Sequence, residues 1–247
     1  MNANDQRFFF VHVQKAAGTS LVFRLRRHFG RPAIYPMEAD KGDVAAVISV
    51  DHLLECWRSH RNEIRVVTGH FPLCTAGLLD ADFTTLTVVR DPVERTLSYL
   101  RHHREVTPED RDVALERIYD DPLRFDGLVH NHMVKMFSLT CEEMTDGVLT
   151  RIEFTPERLQ LAKENLSGVD VVGVQDQFDE FCHELTGRFG WELGAPTHVN
   201  RTDPVEVSQS LCARIAEDNA MDMEFYEYAK RLVDDRRKAV PSPRRRE

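Results

Sequence analysis

Short runs of β-branched and aromatic residues alternate in this chain with longer segments whose apolar residues recur at helical spacing. The runs predict strands over residues 7–13, 64–68, 83–89 and 169–174. The longer segments predict helices over residues 21–29, 44–57, 92–104 and 176–189, and one that starts at 155–157. Because strands linked through helices run parallel, the alternation predicts an α/β fold with a central, mainly parallel sheet flanked by helices.

Length and composition favour one domain. The 247 residues can bury a sizeable core, and 42% hydrophobic with 30% charged residues is an ordinary globular balance. Apolar-periodic stretches at 111–138 and 205–233 predict extra helices beyond the sheet. We assign residues 1–237 to a single domain and predict that the basic segment 238–247 is a flexible tail.

Charge and cysteine usage exclude several classes of function. The net charge of −9 argues against nucleic acid as a partner, because binding a polyphosphate needs a high local density of cations. The start of the chain has no signal-peptide pattern, and no apolar run is long enough for a membrane span, so we expect a cytoplasmic protein. Five widely spaced cysteines without a C-x-x-C pair predict free thiols and no metal site.

Polar motifs follow three of the predicted strands. They are the loop QKAAGTS at 14–20, the pair Gly69-His70, and Arg90-Asp91-Pro92. Ligands of parallel sheets bind beyond the carboxyl ends of the strands, so the three motifs predict one shared site.

The loop at 14–20 has the composition of an anion site. It offers one cation, Lys15, then small residues, and hydroxyls at the start of a helix whose N–H groups point at a ligand. It lacks the spacing G-x-x-x-x-G-K-[ST], which disfavours a nucleoside triphosphate. A plain turn capped by Ser or Thr is the alternative.

The segment 84–101 offers a second set of anion contacts. Arg90 follows a strand, and Ser98 lies about two helical turns after Asp91, on the same helix face. An arginine fork and a hydroxyl suit a phosphate group. Alternatively, Arg90 pairs with Asp91 or Glu94 and Ser98 is a small packing residue.

Together these segments resemble the nucleotide signatures of the sulfotransferases that use 3′-phosphoadenosine 5′-phosphosulfate (PAPS). HVQKAAGTSL at 12–21 resembles the 5′-phosphosulfate loop, and VVRDPVERTLSYL at 88–100 resembles the 3′-phosphate signature. The likeness is nearest to carbohydrate sulfotransferases of the heparan sulfate 2-O-sulfotransferase kind, with further echoes at 69–71, 171–181, 198–202 and 219–232. It implies a P-loop-like three-layer α/β/α fold with extra helices, PAPS as donor, adenosine 3′,5′-bisphosphate as product, and no metal.

The resemblance also implies roles for individual residues. Lys15 and His70 would be catalytic, His70 as the general base and Lys15 as the cation that stabilises the leaving phosphate. The residues implied to bind the nucleotide are Lys15, Ala16, Ala17, Gly18, Thr19, Ser20, Arg90, Ser98, Arg201 and Thr202. Gln14 replaces the usual proline, and Asp176-Gln177 stands where Glu-Arg is common.

The remaining histidines compete for these roles. His12 is expected to be a packed anchor of the loop, and His102 and His103 to be solvated. His130 and His132 flank Asn131 at the start of a predicted amphipathic helix, where an H-x-H pair is a weak metal signal. Asn131, His132 and Lys135 are candidates for contacts with the acceptor.

The sequence therefore predicts a sulfotransferase that moves a sulfuryl group from PAPS to a hydroxyl of a sugar or a glycosylated small molecule. In-line displacement with a histidine general base is the expected mechanism. One alternative is a nucleotide-dependent kinase with a degenerate P-loop. The other is a non-catalytic nucleotide-binding module, which would not need a base at residue 70.

Overall fold

The computed structural model describes residues 6–194 and 207–239. Within them, five parallel strands form one sheet in the order β2-β3-β1-β4-β5. The strands are β1 (Arg7–Val11), β2 (Ile34–Tyr35), β3 (Val66–Gly69), β4 (Phe83–Val89) and β5 (Val171–Val174). The predicted α/β class is confirmed, and every sheet pairing in the described residues is parallel.

Helices cover both faces of the sheet. In the described residues they are α1 (Gly18–Phe29), α2 (Ala45–Ile48), α3 (Val50–His60), α4 (Pro92–Val106), α5 (Leu115–Tyr119), α6 (Pro122–Arg124), α7 (His132–Ser138), α8 (Pro156–Gly168), α9 (Phe178–Phe189), α10 (Gln209–Asp218) and α11 (Ala220–Ala239). Alternate residues of β1 point to opposite faces. Phe10 packs with α1 and α9, while Phe9 packs in the core that includes α3, α7, α8 and α11, which gives three layers.

The register of the central strands sets the position of the site. The last residue of β1, Val11, lies opposite Gly69 of β3 on one side and Thr87 of β4 on the other. The Thr87 hydroxyl donates a hydrogen bond to the Val11 carbonyl at 3.0 Å. The segments that follow these three strands therefore leave the sheet side by side, at its carboxyl edge.

Several predicted boundaries differ from the structure. The predicted helix 44–57 is two helices, because Ser49 adopts an extended conformation and caps α3. The stretch 111–138 is broken into short helices, and the two-residue strand β2 was not predicted. The last helix continues to Ala239, so the first two residues of the predicted tail are helical. Residues 240–247 lie outside the described ranges.

Candidate active site

The loop after β1 is shaped to present backbone N–H groups. Lys15 and Ala17 both adopt the left-handed conformation, with φ of 65° and 64°. Ala17 is the N-cap of α1, and an alanine has no side-chain oxygen with which to cap the first turn. The cap by Ser or Thr that the alternative interpretation requires is therefore not found at the start of α1. The free N–H groups in the first turn of α1, which begins three residues after Lys15, suit an anion.

His12 packs directly against the start of α1. A Cβ atom added to Gly18 would lie 2.0 Å from Cδ2 and 2.1 Å from Nε2 of the His12 ring. Only glycine allows this approach. The expected packing role of His12 is therefore found, and the contact explains why a glycine stands at position 18.

Arg90 links the two segments that carry the nucleotide signatures. Its Nη1 donates a hydrogen bond to the Lys15 carbonyl at 3.1 Å, and its Nη2 lies 3.5 Å from the Glu94 carboxylate. The pairing with Glu94 that we considered as an alternative is present, but Nε of Arg90 is buried without a partner. Arg90 therefore keeps one N–H donor free, and the half-buried Ser98 lies two turns along α4. Together, this donor and the Ser98 hydroxyl fit a phosphate group.

The His70 imidazole is held in one tautomer. Its Nδ1 lies 2.9 Å from the His12 carbonyl, which can only accept a hydrogen bond, so Nδ1 carries the proton. Burial lowers the pKa of His70 and the charge of Lys15 lowers it further, against the opposing effect of the bond to His12. At neutral pH the ring is therefore neutral, and Nε2 has a free lone pair with which to accept a proton.

Lys15 is half-buried between two charges of opposite sign. Burial is the largest cause that lowers the pKa of Lys15, and Arg90 lowers it further, whereas the Glu105 carboxylate on α4 raises it. Glu105 was not predicted as a site residue. The sequence does contain a signal for Glu105, because positions 98 and 105 are two turns apart on one face of the predicted helix.

The sequence pattern of the family described as "Sulfotransferase family" matches residues 1–229. This chain belongs to the sulfotransferase family. Three relatives are also similar to it. Heparan-sulfate 6-O-sulfotransferase 1 of Homo sapiens is 25% identical over 94% of this chain. Heparan-sulfate 6-O-sulfotransferase 2 is 24% identical in Gallus gallus and 25% identical in Mus musculus, each over 92% of this chain.

The resemblance to carbohydrate sulfotransferases is thus confirmed, with these relatives being named for 6-O and not 2-O transfer. The chain spans 66% of the human relative's length and 44% of the Mus musculus relative's. In the described residues of this sulfotransferase-family protein, no helix is long and apolar enough to cross a membrane. Nor do those residues contain a cluster of three or more His, Cys, Asp or Glu side chains that could hold a metal ion.

The three predicted acceptor residues lie in the interior of the sulfotransferase domain. All residues of α7 are buried, so this helix is not amphipathic as predicted. The Asn131 carboxamide accepts a hydrogen bond from the Asp222 backbone, and the Lys135 ammonium donates to the carbonyl of Gly127 at 2.6 Å. His132 is 0% exposed. The Asn131 and Lys135 side chains are thus engaged within the fold, whereas both ring nitrogens of the buried His132 lack a partner.

Other predicted positions have mixed outcomes. His103 was expected to be solvated, but its Nε2 pairs with the Asp110 carboxylate at 2.6 Å. Arg201 and Thr202 lie outside the described residues. Asp176 was named only as a departure from the family pattern, although it follows β5 at the same edge of the sheet, and its charge acts on Arg90. The rule that ligands bind at this edge could have identified it.

Proposed function

We propose that this protein is a PAPS-dependent sulfotransferase whose acceptor is a hydroxyl of a sugar or of a glycosylated small molecule. One observation carries the proposal: the register of β3, β1 and β4 brings His70, the Lys15 loop and Arg90 to one edge of the sheet. Family membership supports sulfuryl transfer. The names of the heparan-sulfate sulfotransferases support a sugar acceptor.

The residues around the loop fit the two ends of the nucleotide. Lys15 and the N–H groups at Ala17, Gly18 and Thr19 would hold the 5′-phosphosulfate, with help from the hydroxyls of Thr19 and Ser20. Arg90 and Ser98 would hold the 3′-phosphate, using the spare Nε donor of Arg90. Bound there, PAPS supplies the sulfuryl group and leaves as adenosine 3′,5′-bisphosphate.

His70 would take the proton of the acceptor hydroxyl at Nε2. Because Nδ1 is engaged by the His12 carbonyl, the ring needs no rearrangement before it accepts that proton. General bases of this kind contribute about 10² to 10⁴ in rate. Lys15 would stabilise negative charge on the leaving phosphate, and such preorganised charge is often the larger contribution.

Neither alternative has a specific observation in its favour. A kinase would need the phosphate-binding loop spacing that this chain lacks. A non-catalytic binding module has no use for an imidazole that is held neutral with one nitrogen free.

The test is a sulfuryl-transfer assay over a panel of sugar hydroxyls. We expect release of the bisphosphate to depend on acceptor, and His70→Ala to lower turnover at least about 100-fold with bisphosphate affinity unchanged. His183→Ala, on an exposed histidine of α9, is the matched control. Unchanged turnover in His70→Ala would assign the base elsewhere.

We also propose a cytoplasmic location. All five cysteines are free thiols, as is usual where glutathione keeps proteins reduced. Fractionation of cells that express the full chain tests this location, and recovery from an oxidising compartment would contradict it.

A further inference from the structure

The ring of His12 occupies the narrow space between the nucleotide loop and the proposed base. Its centroid lies 4.6 Å from that of the His70 ring and 5.3 Å from that of Phe10, on which it stacks. The Cδ2–Nε2 edge of the same ring packs against Gly18, the first residue of α1. Phe10, His70 and Gly18 thus all pack against one imidazole.

We propose that His12 is a positioning residue that sets the spacing between the first turn of α1 and Nε2 of His70. Its carbonyl fixes the tautomer of His70, and its ring fixes the distance of the base from the N–H groups that would hold the sulfuryl donor. This inference rests on the proposed function, since it takes His70 as the base and the bisphosphate as the ligand of the loop.

The chemistry of the ring suits this role better than a role in proton transfer. Burial, followed by the charges of His70 and Lys15, holds the pKa of His12 well below its usual value. The ring therefore stays neutral and adds no cation beside Lys15. A neutral ring held between Phe10 and His70 has little room to move, so a clash with it must displace the loop.

The test is a double-mutant cycle between His12 and Gly18. Alone, Gly18→Ala places a methyl group where the His12 ring lies, and we expect affinity for adenosine 3′,5′-bisphosphate to fall at least about 10-fold. In a His12→Ala background the space is open, and the same substitution should change affinity less than about 3-fold. Equal losses in both backgrounds would overturn the proposal.

His12→Ala alone separates positioning from general packing. We expect kcat to fall about 10- to 100-fold while bisphosphate affinity changes less than about 3-fold, because a displacement near 1 Å is costly for catalysis. The acid limb of the pH profile of kcat should also move to higher pH. His70 becomes less buried in this variant, so its pKa rises. His183→Ala should change neither quantity. An unchanged kcat and an unchanged acid limb in His12→Ala would refute positioning.

Two precautions keep the outcome interpretable. His12→Ser opens the same space and replaces His12→Ala in the cycle if the latter does not fold. Calorimetric bisphosphate affinity reports on the His12–Gly18 contact even if His70 is not the base. If the wild-type protein itself does not bind the bisphosphate, the proposed function fails, and both the affinity and the turnover parts of this inference fail with it.

Discussion

The buried carboxylate of Asp222 should be a major source of stability. It is 0% exposed and accepts hydrogen bonds from the backbone N–H groups of Met133 at 3.0 Å and Val134 at 2.8 Å. Asp222→Ala leaves both donors buried without an acceptor, at about 1–3 kcal/mol each. It also removes the carboxylate that does most to raise the pKa of Arg95, which is itself fully buried.

Part of this cost is offset, because burial raises the pKa of Asp222 and the ionised carboxyl is therefore itself unfavourable in the folded state at neutral pH. We therefore expect Asp222→Ala to lower the free energy of unfolding by about 1–3 kcal/mol, out of roughly 5–15 kcal/mol for a typical domain. Asp222→Asn keeps one acceptor oxygen and should lose less.

Urea denaturation, followed by the fluorescence of the buried Trp57 and Trp191, measures this loss. The assay belongs at pH 7.5, where this carboxyl is ionised, because burial raises its pKa to about 6. Asp235→Ala, on an exposed part of α11, is the control and should change stability by less than about 0.5 kcal/mol. A loss below about 1 kcal/mol in Asp222→Ala would refute the role of the buried network.

Four further outcomes are expected. Because the pKa of His70 is lowered, the acid limb of kcat/KM should lie below pH 6.5; a limb above pH 7 would contradict the assignment. Lys15→Met should weaken bisphosphate binding about 10-fold or more by calorimetry, and unchanged binding would contradict its contact with the 5′-phosphate. Gly173→Ala should lower the free energy of unfolding by about 1–3 kcal/mol, since its Cβ would lie 2.6 Å from the Phe181 ring. Addition of a chelator should leave turnover unchanged, and loss of turnover that metal restores would overturn the proposed metal independence.

Local sequence signals predicted much of the sheet. The structure places β4 at the predicted residues, because its β-branched run ends where Asp91 and Pro92 begin α4. Strand β2 was not predicted, because a strand of two residues is too short to show a periodic pattern of apolar residues. Helix α7 was misread as amphipathic because it is buried on all sides.

The hydrogen bonds that the sequence did not predict join residues that are far apart in the chain. The bond from His70 to the His12 carbonyl spans 58 positions, and the bonds from α7 to Asp222 span 88 and 89. No local pattern encodes such pairs. The burial of Lys135 follows from the same long-range packing. The sequence alone does not show this burial, so it predicts that the Lys135 charge is available to an acceptor.

We propose that the loop after β1 and Arg90 together bind a nucleotide that carries phosphates at both the 5′ and 3′ positions. Calorimetric titration with adenosine 3′,5′-bisphosphate and with 5′-AMP tests it directly. A charge-assisted contact contributes about 1.5–3 kcal/mol, so we predict a preference of about 10- to 100-fold for the bisphosphate, and its collapse in Arg90→Gln. Absence of binding, or equal affinity for the two nucleotides, would contradict the claim.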